Sequence, residues 1–209
     1  MSRMKLSRIK LYDKPECPFC WKVRLALHEL AIEAQLLDSQ SPDHRPVWQA
    51  LAPRKTVPVL VNDDTVIYES NVILEYLADI SGSLLPKNPA ERIQPRLINA
   101  YSDGVIGAAL REVIFEKRGK PEAEWDRARI AAGITAFEQA LEFLSEQLGE
   151  REFFGNCYSL PECALTARFG LAEAYGVHIP SQFANLRAWF ERMKARPSYR
   201  ATAPQSLIS

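Results

Sequence analysis

The period of the apolar positions changes several times along the chain. Residues 9–12, Ile-Lys-Leu-Tyr, form a short β-favouring run that Asp13, Lys14 and Pro15 break. From Cys20 the apolar residues Val23, Leu27 and Leu30 recur at helical spacing. Ala26 widens the stripe, and Lys22, Arg24, His28 and Glu29 fall largely on the other side. Residues 34–37 are again apolar and predict a second strand, parallel to the first through a right-handed crossover. Pro42, Pro46 and Pro53 interrupt 39–53, leaving a short helix around 47–51. Residues 56–61 follow, with Pro58 at the start of an apolar run. This is either a plain edge-strand proline or the site of a cis Val57–Pro58 bond. A turn at 62–65 returns Val66, Ile67 and Tyr68 as an antiparallel partner. Val72, Ile73, Tyr76, Leu77 and Ile80 then make a second amphipathic stripe, with Ser70 as its N-cap or as part of an anion site at the helix start.

Past a Gly/Pro-bearing stretch at 82–89, helical spacing takes over. Helices are predicted over 90–117, with Pro95 in the first turns or at a kink, and over 122–148, stopped by Gly149. Ser159 and Glu162 have the spacing of a capping box, with Tyr158 and Cys163 as a staple, opening a largely apolar helix through 175. A last helix over 182–195 is stopped by Pro197. The expected architecture is an α/β first domain, βαβ then ββα on a mixed sheet (1–81), a linker (82–89) and an all-α helical bundle (90–209).

Charge narrows the function classes. The 26 basic and 26 acidic residues cancel, so no overall field draws nucleic acid or anionic membrane. No apolar run approaches a membrane span, and Met1 to Arg8 is polar and basic without an apolar signal core; a cytoplasmic protein is expected. Four cysteines in 209 residues are too few for a disulfide scaffold.

Two of those cysteines carry the candidate chemistry. In Cys17-Pro18-Phe19-Cys20 the first cysteine sits where a helix begins, with proline at the first helical position. The unpaired N–H groups and dipole of that turn favour a thiolate, to which Lys14, Lys22 and Arg24 would add. Cys20, one turn deeper, is within reach for a disulfide but less open to solvent, which makes Cys17 the nucleophile and Cys20 the resolving thiol. Ordinary buried cysteines remain a bland alternative. Half of a zinc site would need two more ligands, and Cys157 and Cys163 lack knuckle spacing, so no metal is expected.

Together, the helix-start cysteine, the Val-Pro strand opening, the Glu69-Ser70 helix start and the all-helical second half resemble the cytosolic glutathione transferase superfamily over nearly the whole chain. The first half is similar to the thioredoxin fold, and the tetrapeptide to the active-site motif of glutaredoxins. Among transferases the chain looks most like the cysteine-type classes, omega-like and dehydroascorbate-reductase-like, although Cys20 stands where omega-like motifs carry another residue. The resemblance implies glutathione as cosubstrate, a small electrophilic or disulfide acceptor, and a homodimer. It implies that Val57, before Pro58, offers its backbone to the cysteinyl part and that Glu69 and Ser70 hold the γ-glutamyl end. Phe19 would line the sulfur pocket, and Arg45, or His44 or Lys55, would meet the glycyl carboxylate. An acceptor cleft would be walled by Tyr101, Ile114 and Phe115, each of which also reads as core packing.

The activity implied is thiol transfer or glutathione-dependent reduction, by a monothiol or a dithiol route. Conjugation of glutathione to electrophiles is an alternative. A further alternative, from the likeness of 152–203 to the stringent starvation proteins, is a non-enzymatic partner of RNA polymerase.

Overall fold

The computed structural model describes residues 9–205; Met1 to Arg8, with the polar start noted above, and residues 206–209 lie outside them. Strand β1 (Ile9–Asp13) is followed by helix α1 (Pro18–Glu29) and by β2 (Gln35–Asp38), parallel to β1 with Leu11 opposite Leu36. After the short helix α2 (Arg45–Leu51), β3 (Val59–Asn62) pairs antiparallel with β1, and β4 (Thr65–Tyr68) antiparallel with β3. The mixed sheet has the order β2-β1-β3-β4. Helix α3 (Ser70–Ser81) completes this thioredoxin-like half, and the Val57–Pro58 bond is cis.

The remainder is helical: α4 (Ile93–Tyr101), α5 (Gly107–Lys117), α6 (Arg127–Leu148), α7 (Leu160–Ala174), α8 (Ala184–Ala195) and α9 (Pro197–Thr202). One hydrophobic core runs through both halves, from Leu11 and Leu60 through Trp21 and Leu25 to Phe169 and Trp189. Helix α1 lies directly on α7. A Cβ on Gly170 would come within 2.5 Å of Trp21 Cη2, so the absence of a side chain there sets how closely the helices approach. Trp21 Nε1 donates to Thr202 Oγ1 at 3.1 Å, tying α1 to α9 as well.

Several expectations need correction. Lys22 and Arg24 read as the solvent face of α1, but both are buried because α7 and α9 cover that side. Their charges are compensated: Arg24 donates to Asp13 Oδ1 at 2.5 Å and to the Pro15 carbonyl at 2.8 Å, and Lys22 to Asp103 and Asn71. Ser70 is the first residue of α3 rather than its cap; Glu69 takes the cap position without a side-chain capping bond. The 90–117 run is divided by a π-helical turn, Ser102–Ile106. The run from 122 starts as a 3-10 turn, and α6 begins only at Arg127, where the Asp126 side chain accepts from Arg129 N at 3.0 Å. Pro197 opens a further helix, a role its fixed φ suits as well as that of a stop.

The capping box of α7 forms as read. Glu162, fully buried, accepts from Ser159 N (2.9 Å) and Ser159 Oγ (2.7 Å), and also from Phe154 N (2.7 Å). Its removal strands buried donors as well as a cap. Glu162→Ala is expected to lower unfolding free energy by about 2–4 kcal/mol in urea denaturation; a loss below about 0.5 kcal/mol, the scale of an ordinary surface change, would refute this account.

Candidate functional site

Cys17 is the N-cap residue of α1, with extended backbone (φ −87°, ψ 118°) and Pro18 after it. Its own N–H is tied to the Lys14 carbonyl at 3.0 Å, which fixes the loop that delivers it. The thiol is half-buried, Cys20 is wholly buried, and both are free. The Cys17 sulfur closes no capping bond of the kind a serine or aspartate makes. Its pKa is nevertheless lowered to about 6. The Cys20 thiol, as hydrogen-bond donor, is the foremost cause, partly opposed by burial; the N–H groups of Cys20 and Phe19 follow, then the charge of Arg168. Burial pushes the Cys20 thiol well up, and the Cys17 and Asp13 charges add to this, so Cys20 stays protonated and able to donate. The two sulfurs are thus unequal for one reason: the first stands at the helix start and the second lies beneath it.

Arg168 takes the place expected of Lys14, Lys22 and Arg24 as the cation that acts on Cys17. It projects from α7 with its guanidinium 4.4 Å from the Phe19 ring centre and donates to Asp103 Oδ1 at 3.0 Å. Asp103, in the π-helical turn, accepts from Lys22 Nζ at 2.6 Å through its other oxygen. Burial pushes the Asp103 carboxyl up, but Lys22 and Arg168 together bring it below the usual range. Burial pushes the Lys22 ammonium down. Gly107 makes room for this arrangement, since a Cβ there would lie 2.8 Å from Arg168 Cζ.

Two cavities meet at Cys17. The first, about 660 Å³, is lined by Cys17, Phe19, Arg45, Lys55, Val57, Pro58, Glu69 and Ser70, all the candidate site residues except the buried Cys20. His44 is not among the residues lining it; its Nδ1 lies 2.9 Å from the Asp38 carbonyl oxygen. Sequence reading missed Arg54, Gln40, Asn71 and Asp103 on the same wall. Arg54 Nη1 lies 3.3 Å from Glu69 Oε1, an exposed pair. Glu69 holds left-handed backbone (φ 65°), where a side chain is strained.

The second cavity, about 540 Å³, lies between the α1 start and α5, and Ile114, which also belongs to the buried core, and Phe115 are among the residues that line it. Tyr101 does not; it turns to α6, where its hydroxyl donates to the Ala140 carbonyl at 3.1 Å and its ring packs on Phe143. Arg168 lines this cavity, and a sequence signal for it existed: a lone arginine in the apolar run of α7. Among the described residues no group of three or more His, Cys, Asp or Glu side chains is placed to hold a metal ion.

Residues 11–87 match the family described as glutathione S-transferase, N-terminal domain, and 127–192 the one described as glutathione S-transferase, C-terminal domain. Glutathione S-transferase 1 of Dianthus caryophyllus is 30% identical over 155 residues, which are 68% of this chain and 68% of that protein. A stringent starvation protein A homolog of Coxiella burnetii is 26% identical over 209 residues, covering 97% of this chain and 95% of that one. A glutathione S-transferase from Methylobacillus flagellatus KT, solved with GSH bound, superposes with a TM-score of 0.75 at 28% identity, covering 94% of this chain and 99% of that chain.

Because the Cys17 thiol titrates near 6, its alkylation by iodoacetamide should rise with pH to a plateau with its midpoint there, and be lost as pH falls through 6. Cys20→Ala removes the foremost donor, so the midpoint should move upward toward the free-thiol value of about 8.5. An unchanged midpoint would sink this assignment of cause.

Proposed function

Since the chain belongs to the glutathione S-transferase family, we propose that it is a glutathione-dependent thiol transferase or reductase of the cysteine type, with Cys17 as nucleophile. The observation that carries this reading is the half-buried, acidified Cys17 thiol at the junction of two cavities. Cys17 thiolate attacks the glutathionyl sulfur of a mixed disulfide; a Cys17–glutathione disulfide forms and the acceptor leaves as a thiolate that takes a proton from solvent. A second glutathione, as thiolate, then attacks the glutathionyl sulfur of that adduct, releasing glutathione disulfide and restoring Cys17. In the dithiol route Cys20 would displace glutathione instead. Its burial and raised pKa favour the monothiol route, because a protonated, enclosed thiol attacks slowly.

In this reading the first cavity holds glutathione. Val57 presents its backbone to the cysteinyl part, Glu69 and Ser70 hold the γ-glutamyl end, Arg45 or Lys55 meets the glycyl carboxylate, and Phe19 lines the sulfur pocket. That the Methylobacillus flagellatus relative was solved with GSH supports the ligand. Glutathione conjugation to electrophiles is a lesser reading, since a cysteine is readily trapped as a disulfide. The Coxiella burnetii relative keeps a second one open, a non-enzymatic stringent-starvation-type partner of RNA polymerase; retention on glutathione resin with elution by free glutathione separates the two. The reading carries with it a glutathione-binding unit over 1–81, a linker over 82–89, a helical unit over 90–209, and a cytoplasmic homodimer. Exposed Val72, Ile93 and Leu97 offer apolar surface to such a contact.

Incubation with glutathione disulfide should add one glutathione to the intact mass of the protein and of Cys20→Ser, but none to Cys17→Ser. Reduction of hydroxyethyl disulfide should fall more than about a hundredfold in Cys17→Ser and only slightly in Cys20→Ser. Full activity in Cys17→Ser would refute the proposal.

A further inference from the structure

The second cavity has a charge character that its apolar wall conceals. Leu110, Ile114 and Phe115 give it a body suited to an aromatic or branched aliphatic group. Its cations are Lys14, Arg111, Arg118 and Arg168, its anions Glu16 and Asp103. Asp103 is shared between Arg168 and Lys22, and so is already neutralised. Glu16 Oε2 forms an ion pair with Arg118 Nη2 at 3.6 Å. Arg118 is held from its other side, where Nε donates to the Tyr175 hydroxyl at 2.8 Å, so its guanidinium is fixed, with Nη2 buried. Arg111, exposed on α5, stacks its guanidinium 5.4 Å from the Phe115 ring centre and has no ion pair among the described residues. An apolar slot whose wall carries more cations than anions, with an arginine on its rim that has no ion pair among the described residues, matches one ligand shape: a hydrophobic body with an anionic end.

We propose that the acceptor of this protein is an amphipathic anion, a thiol with an apolar body and a carboxylate, presented as its mixed disulfide with glutathione. The inference rests on the thiol-transfer reading above. Cys17 takes the glutathionyl sulfur, the S–S bond breaks, and the acceptor departs as a thiolate that is protonated from solvent. A second glutathione regenerates Cys17 as glutathione disulfide leaves, so no other reductant is needed. Arg111 holds the acceptor carboxylate during the first displacement, the fixed charge of Arg118 adds to the field of the wall, and Leu110, Ile114 and Phe115 hold the acceptor's body.

The test compares the glutathione mixed disulfides of 4-mercaptobenzoate and 4-mercaptobenzamide, which share a glutathionyl part and differ in one charge. The expected kcat/KM is about tenfold or more higher for the benzoate, as for a charge-assisted hydrogen bond made in a partly desolvated site. The ratio should fall toward one in the R111Q/R118Q double variant, and partway in Arg111→Gln, an exposed change that tests the idea even if the double variant fails to fold. Raising ionic strength should also shrink it. Equal or faster turnover of the benzamide by the unaltered protein, or a ratio that both variants leave intact, overturns the inference while leaving glutathione uptake at Cys17 untouched. Loss of that uptake, read by intact mass, instead overturns the underlying reading and this inference with it.

Discussion

The buried ionic chain Lys22–Asp103–Arg168 is the contact on which the rest of the arrangement depends. It joins α1 of the sheet-bearing half to the π-helical turn and α7 of the helical half. Lys22 is 1% exposed, so its charge has lost nearly all its water. Such a group is tolerable only with partners in place, and taking away one member leaves another uncompensated. Asn71 adds an acceptor at 2.6 Å from Lys22 Nζ and itself receives a bond from Asn99, which draws the start of α3 into the same network. The consequence is positional: Phe19, one helical turn from Lys22, is overlain by Arg168, and the residues next to Cys17 are fixed by charges contributed from both halves.

That arrangement also explains the electrostatics around the thiol. The helix start supplies N–H groups, as any helix start does, but the largest influence is a neutral thiol beneath, kept neutral by burial. The helical half adds a guanidinium whose own counter-ion, Asp103, sits on the wall of both cavities. The helix start, the buried thiol one turn along α1 and the bundle each bring one component, and none of the three would set the chemistry of Cys17 by itself.

Much of this was legible in the residues because local rules produced it. The β-favouring runs at 9–12 and 66–68, the proline after Cys17 and the Ser159/Glu162 spacing each describe a backbone that the neighbouring residues alone favour, and each forms. The residues singled out around Cys17 gather on one cavity wall because they stand at the starts of α1, α2, β3 and α3, which the strand directions bring to one end of the sheet. What escaped depends on distant partners. Lys22 and Arg24 have the look of solvent-facing residues, and their burial is decided by Asp103, Thr202 and the Gly170 gap, all far along the chain. The π-helical turn has no compositional mark, and Pro197 serves equally to end one helix or begin the next.

Glu69 carries an opposition between its backbone and its side chain. Its left-handed backbone is one that glycine adopts freely and a branched or long side chain resists, at about 1–3 kcal/mol. Yet the side chain at this position is the one that meets Arg54 across the cavity mouth. A lineage selected only for thermal robustness would drift toward glycine at residue 69 and surrender the carboxylate. One selected for keeping that carboxylate must tolerate a permanently uncomfortable peptide at the head of α3.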